Sequence, residues 1–180
     1  MRLFVSIDLP GGVQEKLYSW LPDLPDLRYQ KKEQLHLTLL FIGESDEDQV
    51  CLITERLRSV QFEPFDMVIE GVGAFPGRKN PRVIWAGVKK NDELMRLQKQ
   101  ISEKLFGFVD GGANHLFKPH ITLARATRHF RFKKSDKLFE KSESVSLIVA
   151  SVSLKRSILS QKGSTHTVLE TFNAGSGHSL

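Results

Sequence analysis

Cysteine is almost absent from this chain: Cys51 is the single one in 180 residues, so no internal disulfide can staple the fold. A chain of this length needs none, because it buries most of its apolar surface in one domain or in two small lobes that share a core. A lone thiol fits a reducing compartment, and the cytoplasm is the expected location. No apolar run approaches the length of a membrane span, and the opening Met1-Arg2-Leu3-Phe4-Val5-Ser6-Ile7-Asp8 is too short for a signal peptide. Two catalytic signatures are missing as well. There is no Gly-x-Ser-x-Gly elbow and no glycine-rich phosphate loop ending in Gly-Lys-Ser or Gly-Lys-Thr, so serine-hydrolase and P-loop chemistry drop out. Acidic residues are outnumbered, 21 against 26 lysines and arginines, which gives a formal charge of +5. That excess favours an anionic partner, nucleic acid or small phosphates.

What is present is a motif that occurs twice. His36-Leu37-Thr38-Leu39 and His120-Ile121-Thr122-Leu123 each place a threonine two residues after a histidine, between branched apolar neighbours. With six histidines and seven threonines in 180 residues, chance supplies far fewer than one such pair. Side chains alternate along a strand, so His36 and Thr38 share one face while Leu35, Leu37, Leu39 and Phe41 share the other. In the second copy His120, Thr122 and Ala124 line up, with Ile121 and Leu123 turned inward. Two such strands facing each other present two imidazoles and two hydroxyls.

The remaining pattern is mixed. A first strand is followed, after Pro10-Gly11-Gly12, by Val13, Leu17, Trp20 and Leu21 at helical spacing. The first histidine strand spans about 35 to 42 and ends at Gly43. Ser45-Asp46-Glu47-Asp48 has the form of a capping box before a helix carrying Val50, Ile53, Leu57 and Val60. Phe65 to Val72 and Arg82 to Val88 read as a hairpin with a long basic connection. Asn91 can cap a helix with Leu94, Leu97, Ile101 and Leu105 on its apolar stripe, and Gly107 is placed to end it. Strands at about 145 to 156 and 166 to 173 would complete the sheets. The order strand, helix, histidine strand thus occurs twice, which suggests two lobes around a cleft.

Two imidazoles with two hydroxyls suit displacement at phosphorus. One neutral histidine takes a proton from water while a protonated one gives a proton to the leaving oxygen, and the threonines donate to the non-bridging oxygens. Metal ligation has little to build on, since each strand supplies one histidine and no carboxylate or cysteine stands at ligand spacing. Neither a metal nor another cofactor is expected.

The chain resembles the two-histidine phosphoesterases, and within them the bacterial and archaeal RNA 2′,3′-cyclic phosphodiesterases, also called 2′-5′ RNA ligases. The resemblance rests on Leu3-Phe4-Val5, the first motif with Phe41 and Gly43, Gly73-Ala74-Phe75-Pro76, Arg82-Val83-Ile84-Trp85-Ala86-Gly87-Val88, and Pro119-His120-Ile121-Thr122-Leu123-Ala124-Arg125. It implies an α+β, bilobal fold, with two antiparallel sheets and flanking helices around a central cleft and a pseudo-twofold relation between the halves. Residues 1–172 would form this domain, as a monomer, and 173–180, rich in glycine and serine, a disordered tail. The implied reaction is metal-independent opening of a terminal 2′,3′-cyclic phosphate to a 2′-phosphomonoester, on RNA ends or cyclic nucleotides. In it His36 gives a proton to the 3′ oxygen, His120 activates water, and Thr38, Thr122 and Arg125 hold the phosphate. Arg125 falls on the face opposite His120 in a regular strand, so that role needs a bulge.

Three further features bear on function. His166 stands where the family commonly has a tyrosine, which offers less area for stacking a base. Arg128-His129-Phe130-Arg131-Phe132-Lys133-Lys134 interleaves cations with aromatics and could track an RNA backbone, as could Lys31-Lys32 and Arg78-Lys79 with Arg82. An RNA-binding module without turnover, and an enzyme run backward to ligate RNA ends, are the competing readings.

Overall fold

The computed structural model describes residues 1–21, 23–78, 80–109, 116–131, 139, 143–160 and 163–175. In chain order the elements are β1 (Arg2–Asp8), α1 (Gly11–Ser19), β2 (Leu27–Tyr29), β3 (His36–Glu44), α2 (Glu47–Arg58), β4 (Phe65–Phe75), β5 (Val83–Val88) and α3 (Asp92–Lys104). They are followed by β6 (His120–Ala126), β7 (Ser144–Val149), β8 (Ser151–Ser160) and β9 (Gly163–Asn173). The fold is α+β, as expected.

Strand order is β7-β4-β5-β6-β3-β1-β8-β9, with β2 added beside β6 and neighbouring strands antiparallel throughout. In place of the two anticipated sheets the described strands form one continuous sheet, because β3 pairs with β6; two four-stranded arrays, β9-β8-β1-β3 and β6-β5-β4-β7, lie on either side of that joint. They meet at one register pair among the described residues, Leu37 opposite Ile121. Both side chains are fully buried. The connection β1-α1-β3 in one array matches β5-α3-β6 in the other, and in both the histidine strand lies beside the strand that began the unit.

Helix boundaries follow local chemistry. Asn91 caps α3, its side-chain oxygen accepting from the Leu94 N–H at 2.8 Å. In α2 the capping residue is Asp46 rather than Ser45: its carboxylate accepts from the Gln49 N–H at 2.8 Å while the Gln49 side chain accepts from the Asp46 N–H at 3.1 Å. The box sits one residue later than the sequence suggested because Gln49 can reciprocate. Gly11 and Gly12 belong to α1 instead of breaking the chain before it, and α3 ends at Lys104, with Gly107 inside a short 3₁₀ turn. Leu94, Leu97 and Ile101 of α3 are buried, and α3 packs against β3 and α2, whereas α1 packs against β7 of the other array.

The strand expected at 145 to 156 is two strands. Inward residues are odd-numbered up to Val149 and even-numbered from Val152, and at Ala150 the chain passes from β4's side in one array to β1's side in the other. At the C-terminus β9 continues through Asn173, and the Ala174 and Gly175 amides donate to Ala150 O and Phe62 O at 2.8 and 3.0 Å. These three residues of the expected tail are held by backbone bonds; 176–180 lie outside the described residues. Among the described residues no helix is long and apolar enough to cross a membrane.

The shared rung gives a stability test. Leu37→Ala removes a fully buried side chain at the joint and lowers the unfolding free energy by about 2–5 kcal/mol, measured by chemical denaturation. Ile148→Ala, at a side chain 66% exposed, changes it by about 0.5 kcal/mol or less.

Candidate active site

The single rung between β3 and β6 sets the geometry of the site. In antiparallel pairing about Leu37 and Ile121, His36 falls opposite Thr122 and Thr38 opposite His120. Each histidine opens its strand, and each is pinned the same way. His36 Nδ1 lies 2.7 Å from the carbonyl oxygen of Gln34, and His120 Nδ1 lies 2.7 Å from that of Lys118. A carbonyl can only accept, so Nδ1 carries the proton in both rings and Nε2 is the nitrogen left for chemistry.

Past each motif the strand bulges at the same place. Between β1 and β3 the register passes from Val5–Leu40 to Ser6–Thr38 and skips Leu39; between β5 and β6 it passes from Ile84–Ala124 to Trp85–Thr122 and skips Leu123. The extra residue reverses the alternation. Leu123 and Ala124 are both fully buried, and Arg125 emerges on the face of His120 and Thr122, so the bulge that its role required is present. Two expectations are corrected by the same device. Ala124 lies on the core side, and Phe41, placed in the core by simple alternation, is 65% exposed and lines the cleft.

His36, Thr38, His120, Thr122 and Arg125 all line one cleft of about 250 Å³. A space of that size sits near the small end of ligand sites, suited to a terminal nucleotide. Phe41, His166, Gln30, Gln34 and Arg2 also line it. Sequence reasoning placed none of Gln30, Gln34 and Arg2 there, and no spacing rule marks them.

Each imidazole has aromatic walls. His36 lies 5.1 Å from the Phe4 ring and 5.2 Å, edge to face, from His166. His120 meets Phe75 edge to face at 5.1 Å, with Trp85 at 6.3 Å. A Cβ on Gly73 would come within 2.3 Å of the Trp85 ring, so glycine there allows the indole to lie across β4. Burial pushes His36 down to about 4, helped by the charge of Lys155 and by His166, while the Gln34 carbonyl and Asp8 oppose the shift. Lys155, itself buried, is paired with Asp8, which also accepts from Ser153 Oγ at 2.9 Å. His166 is also lowered, by burial and then by Lys155.

Other candidates fall elsewhere. Phe130 is buried in the core and cannot stack on a base, because it anchors the turn after β6; Arg131 donates to the carbonyls of Arg128 and Phe130 at 3.0 and 2.9 Å. Residues 132–134 and Lys79 lie outside the described residues. Lys32 pairs with Glu15, and the Arg78 guanidinium sits 4.9 Å over the Phe139 ring. Among the described residues no group of three or more His, Cys, Asp or Glu is arranged to hold a metal ion.

The chain is similar to several known proteins. The family model described as LigT like Phosphoesterase matches residues 7–85. The RNA 2′,3′-cyclic phosphodiesterase of Archaeoglobus fulgidus is 39% identical over 96% of this chain and 99% of its own length. The protein of the same description from Thermus thermophilus is 33% identical over 99% of this chain and 92% of its own. Among solved structures, TT0787 of Thermus thermophilus superposes with a TM-score of 0.80 at 28% identity, covering 99% of this chain and 100% of that one. Escherichia coli LigT complexed with 3′-AMP shares the fold with a TM-score of 0.80 at 23% identity, over 97% and 98% of the two chains. With paired His-x-Thr strands facing one cleft and near full-length similarity to such enzymes, the chain belongs to the LigT-like phosphoesterase family.

Proposed function

We propose that this chain opens the 2′,3′-cyclic phosphate at an RNA end to a 2′-phosphomonoester, with His36 and His120 as the acid and base. The observation that carries the reading is the matched pair of imidazoles, each fixed through Nδ1 at 2.7 Å and each leaving Nε2 on one cleft with the other strand's threonine opposite. Water attacks phosphorus as His120 takes its proton. The bond to the 3′ oxygen breaks on the far side, and that oxygen takes its proton from His36. Thr38 and Thr122 donate to the non-bridging oxygens as their charge grows. Arg125 adds positive charge that draws an anionic RNA end, and the exposed ring of Phe41 offers a surface for its base. Both proton transfers are supplied by the chain's own side chains, and one chain supplies both strands, so a monomer acting in the cytoplasm is the simplest form of the reading.

The burial of His36 bears on how the acid is loaded. With the cleft empty His36 is neutral at pH 7, so its proton must be gained as the anionic phosphate enters and favours the charged ring. The reactive form is the pair holding one proton between its members. Below about pH 4 His36 is charged in the free enzyme, and the pair passes out of its one-proton form. We therefore expect kcat/KM to fall as pH drops through about 4, and this limb reports the pair whichever member is the donor.

The reaction is tested by incubating the protein, in EDTA, with an oligonucleotide ending in a 2′,3′-cyclic phosphate. The expected product is a 2′-phosphate, and His36→Ala and His120→Ala each slow its formation by about 10²–10⁴-fold. A 3′-phosphate product, or wild-type turnover by both variants, overturns the reading. Roles separate on a substrate whose 3′ bridging oxygen is replaced by sulfur, a leaving group that needs no proton. On it His36→Ala recovers much of the lost rate and His120→Ala does not; the reverse pattern exchanges the two assignments.

A further inference from the structure

We propose that Lys155 is a positioning residue of the paired-histidine site, which holds the Asp8 carboxylate on the β8 side of β1 and so keeps it off His36, the imidazole opposite Asp8 on β3. Its part in turnover rests on the proposed reaction; the placement of the charges does not. Asp8 closes β1, His36 opens β3, and the two are register partners. Side chains directly opposite on an antiparallel pair have Cβ atoms about 5 Å apart, so a carboxylate there is well placed to pair with the imidazole. Both its oxygens go the other way. Oδ1 accepts from Lys155 Nζ, and Oδ2 accepts from Ser153 Oγ at 2.9 Å. Lys155 and Ser153 stand on β8, opposite Phe4 and Ser6 of β1, so the carboxylate leans back along β1 and across toward β8. His36 turns its Nδ1 to the Gln34 carbonyl and its ring to Phe4 and His166.

A lysine is an unfavourable choice for this place. Its side chain is 9% exposed, against 42% for that of Asp8, and burial strips the ammonium of water. An apolar side chain would fill the space without that loss, but would leave the carboxylate free to turn to His36. The groups that face His36 are Asp8 from β1, Lys155 from β8 and His166 from β9, with His120 and Arg125 of β6 across the same cleft. The helix α3, packed on β3, reaches it with a neutral amide, Gln98 donating to the Leu39 carbonyl at 3.4 Å. Among the described residues Asp8 is thus the carboxylate that faces this ring, and Lys155 outweighs it: the cation disfavours the charged imidazole more than the carboxylate favours it. With the carboxylate held, the anion that charges His36 is the phosphate of the substrate. With it free, the ring would be charged before the substrate arrives, and a bare carboxylate beside the cleft would repel the phosphate.

The first measurement is an NMR titration of the imidazole protons of the free protein, with the His36 signal assigned by its loss in His36→Ala. In Lys155→Met the His36 titration is expected about one pH unit above that of the wild type; Lys155→Arg, which keeps the charge, stays close to the wild type. Adding Asp8→Asn to Lys155→Met removes most of the rise, which assigns it to the carboxylate and not to loosened packing. Asp8→Asn alone, at a half-exposed side chain, leaves His36 at or below its wild-type position and decides the matter should Lys155→Met not fold. A His36 titration unmoved in folded Lys155→Met, a rise that persists in the double variant, or a rise in Asp8→Asn alone overturns the proposal. The second measurement is kcat/KM against pH on an oligonucleotide with a 2′,3′-cyclic end. Its acid limb moves up with the His36 titration in Lys155→Met and returns in the double variant. A limb that stays in place while the NMR titration moves overturns the part of Lys155 in turnover. If the wild type does not hydrolyse the oligonucleotide, the proposed reaction fails instead, and the NMR titration still decides where the Asp8 charge acts.

Discussion

The backbone rung between Leu37 and Ile121 is the constraint on which the site depends. It joins two arrays that otherwise make their hydrogen bonds internally, and its antiparallel sense sets each histidine across from the other strand's threonine. A shift of one residue would turn both histidines and both threonines toward the core. Both residues of the rung carry fully buried side chains, so the apolar core fixes the register of the two His-x-Thr motifs. The bulges at Leu39 and Leu123 extend the same control: after each, the next outward residue is one position later than alternation gives, Phe41 on one strand and Arg125 on the other. One arm of the cleft thereby ends in an apolar ring and the other in a cation, a division that matches the two ends of a nucleotide.

The backbone treats the two histidines alike, and the surroundings do not. Phe4, His166 and the Lys155–Asp8 pair enclose His36, and removal from water disfavours its charged form; His120 stands against Phe75 and Trp85 at the other end of the cleft. The surroundings that lower His36 come from neighbours in β1, β8 and β9, distant in sequence from the motif itself.

Much of this was legible in the chain. The alternation around His36 and His120, the Asn91 cap and the apolar stripe of α3 are local patterns, and local patterns survive folding when they agree with the packing. What was not legible depends on partners. A bulge is a mismatch between two strands, so nothing within His36–Phe41 announces that Leu39 is the extra residue. β2 is three residues long and exists because β6 offers it an edge. Phe130 looked like a base-stacking ring in a basic segment, yet the core claims it. The break at Ala150 was visible in principle, since inward positions change from odd to even there, and reading the segment as one strand overlooked that change of parity.

The crossing of the helices has a consequence for how the molecule can be divided. α1 leaves the array of β1 and packs beneath β7, α3 leaves the array of β5 and packs on β3, and the last strands β7 and β8 go one to each array. The repeated strand-helix-strand unit is therefore not a folding unit. A chain cut between β3 and α2 would yield an amino-terminal piece without the helix that covers β3 and without the strand that α1 covers, and neither fragment would retain a closed interior. The order strand, helix, histidine strand occurs twice in the chain, but the two occurrences are interlaced, and each is the scaffold on which the other acquires its shape.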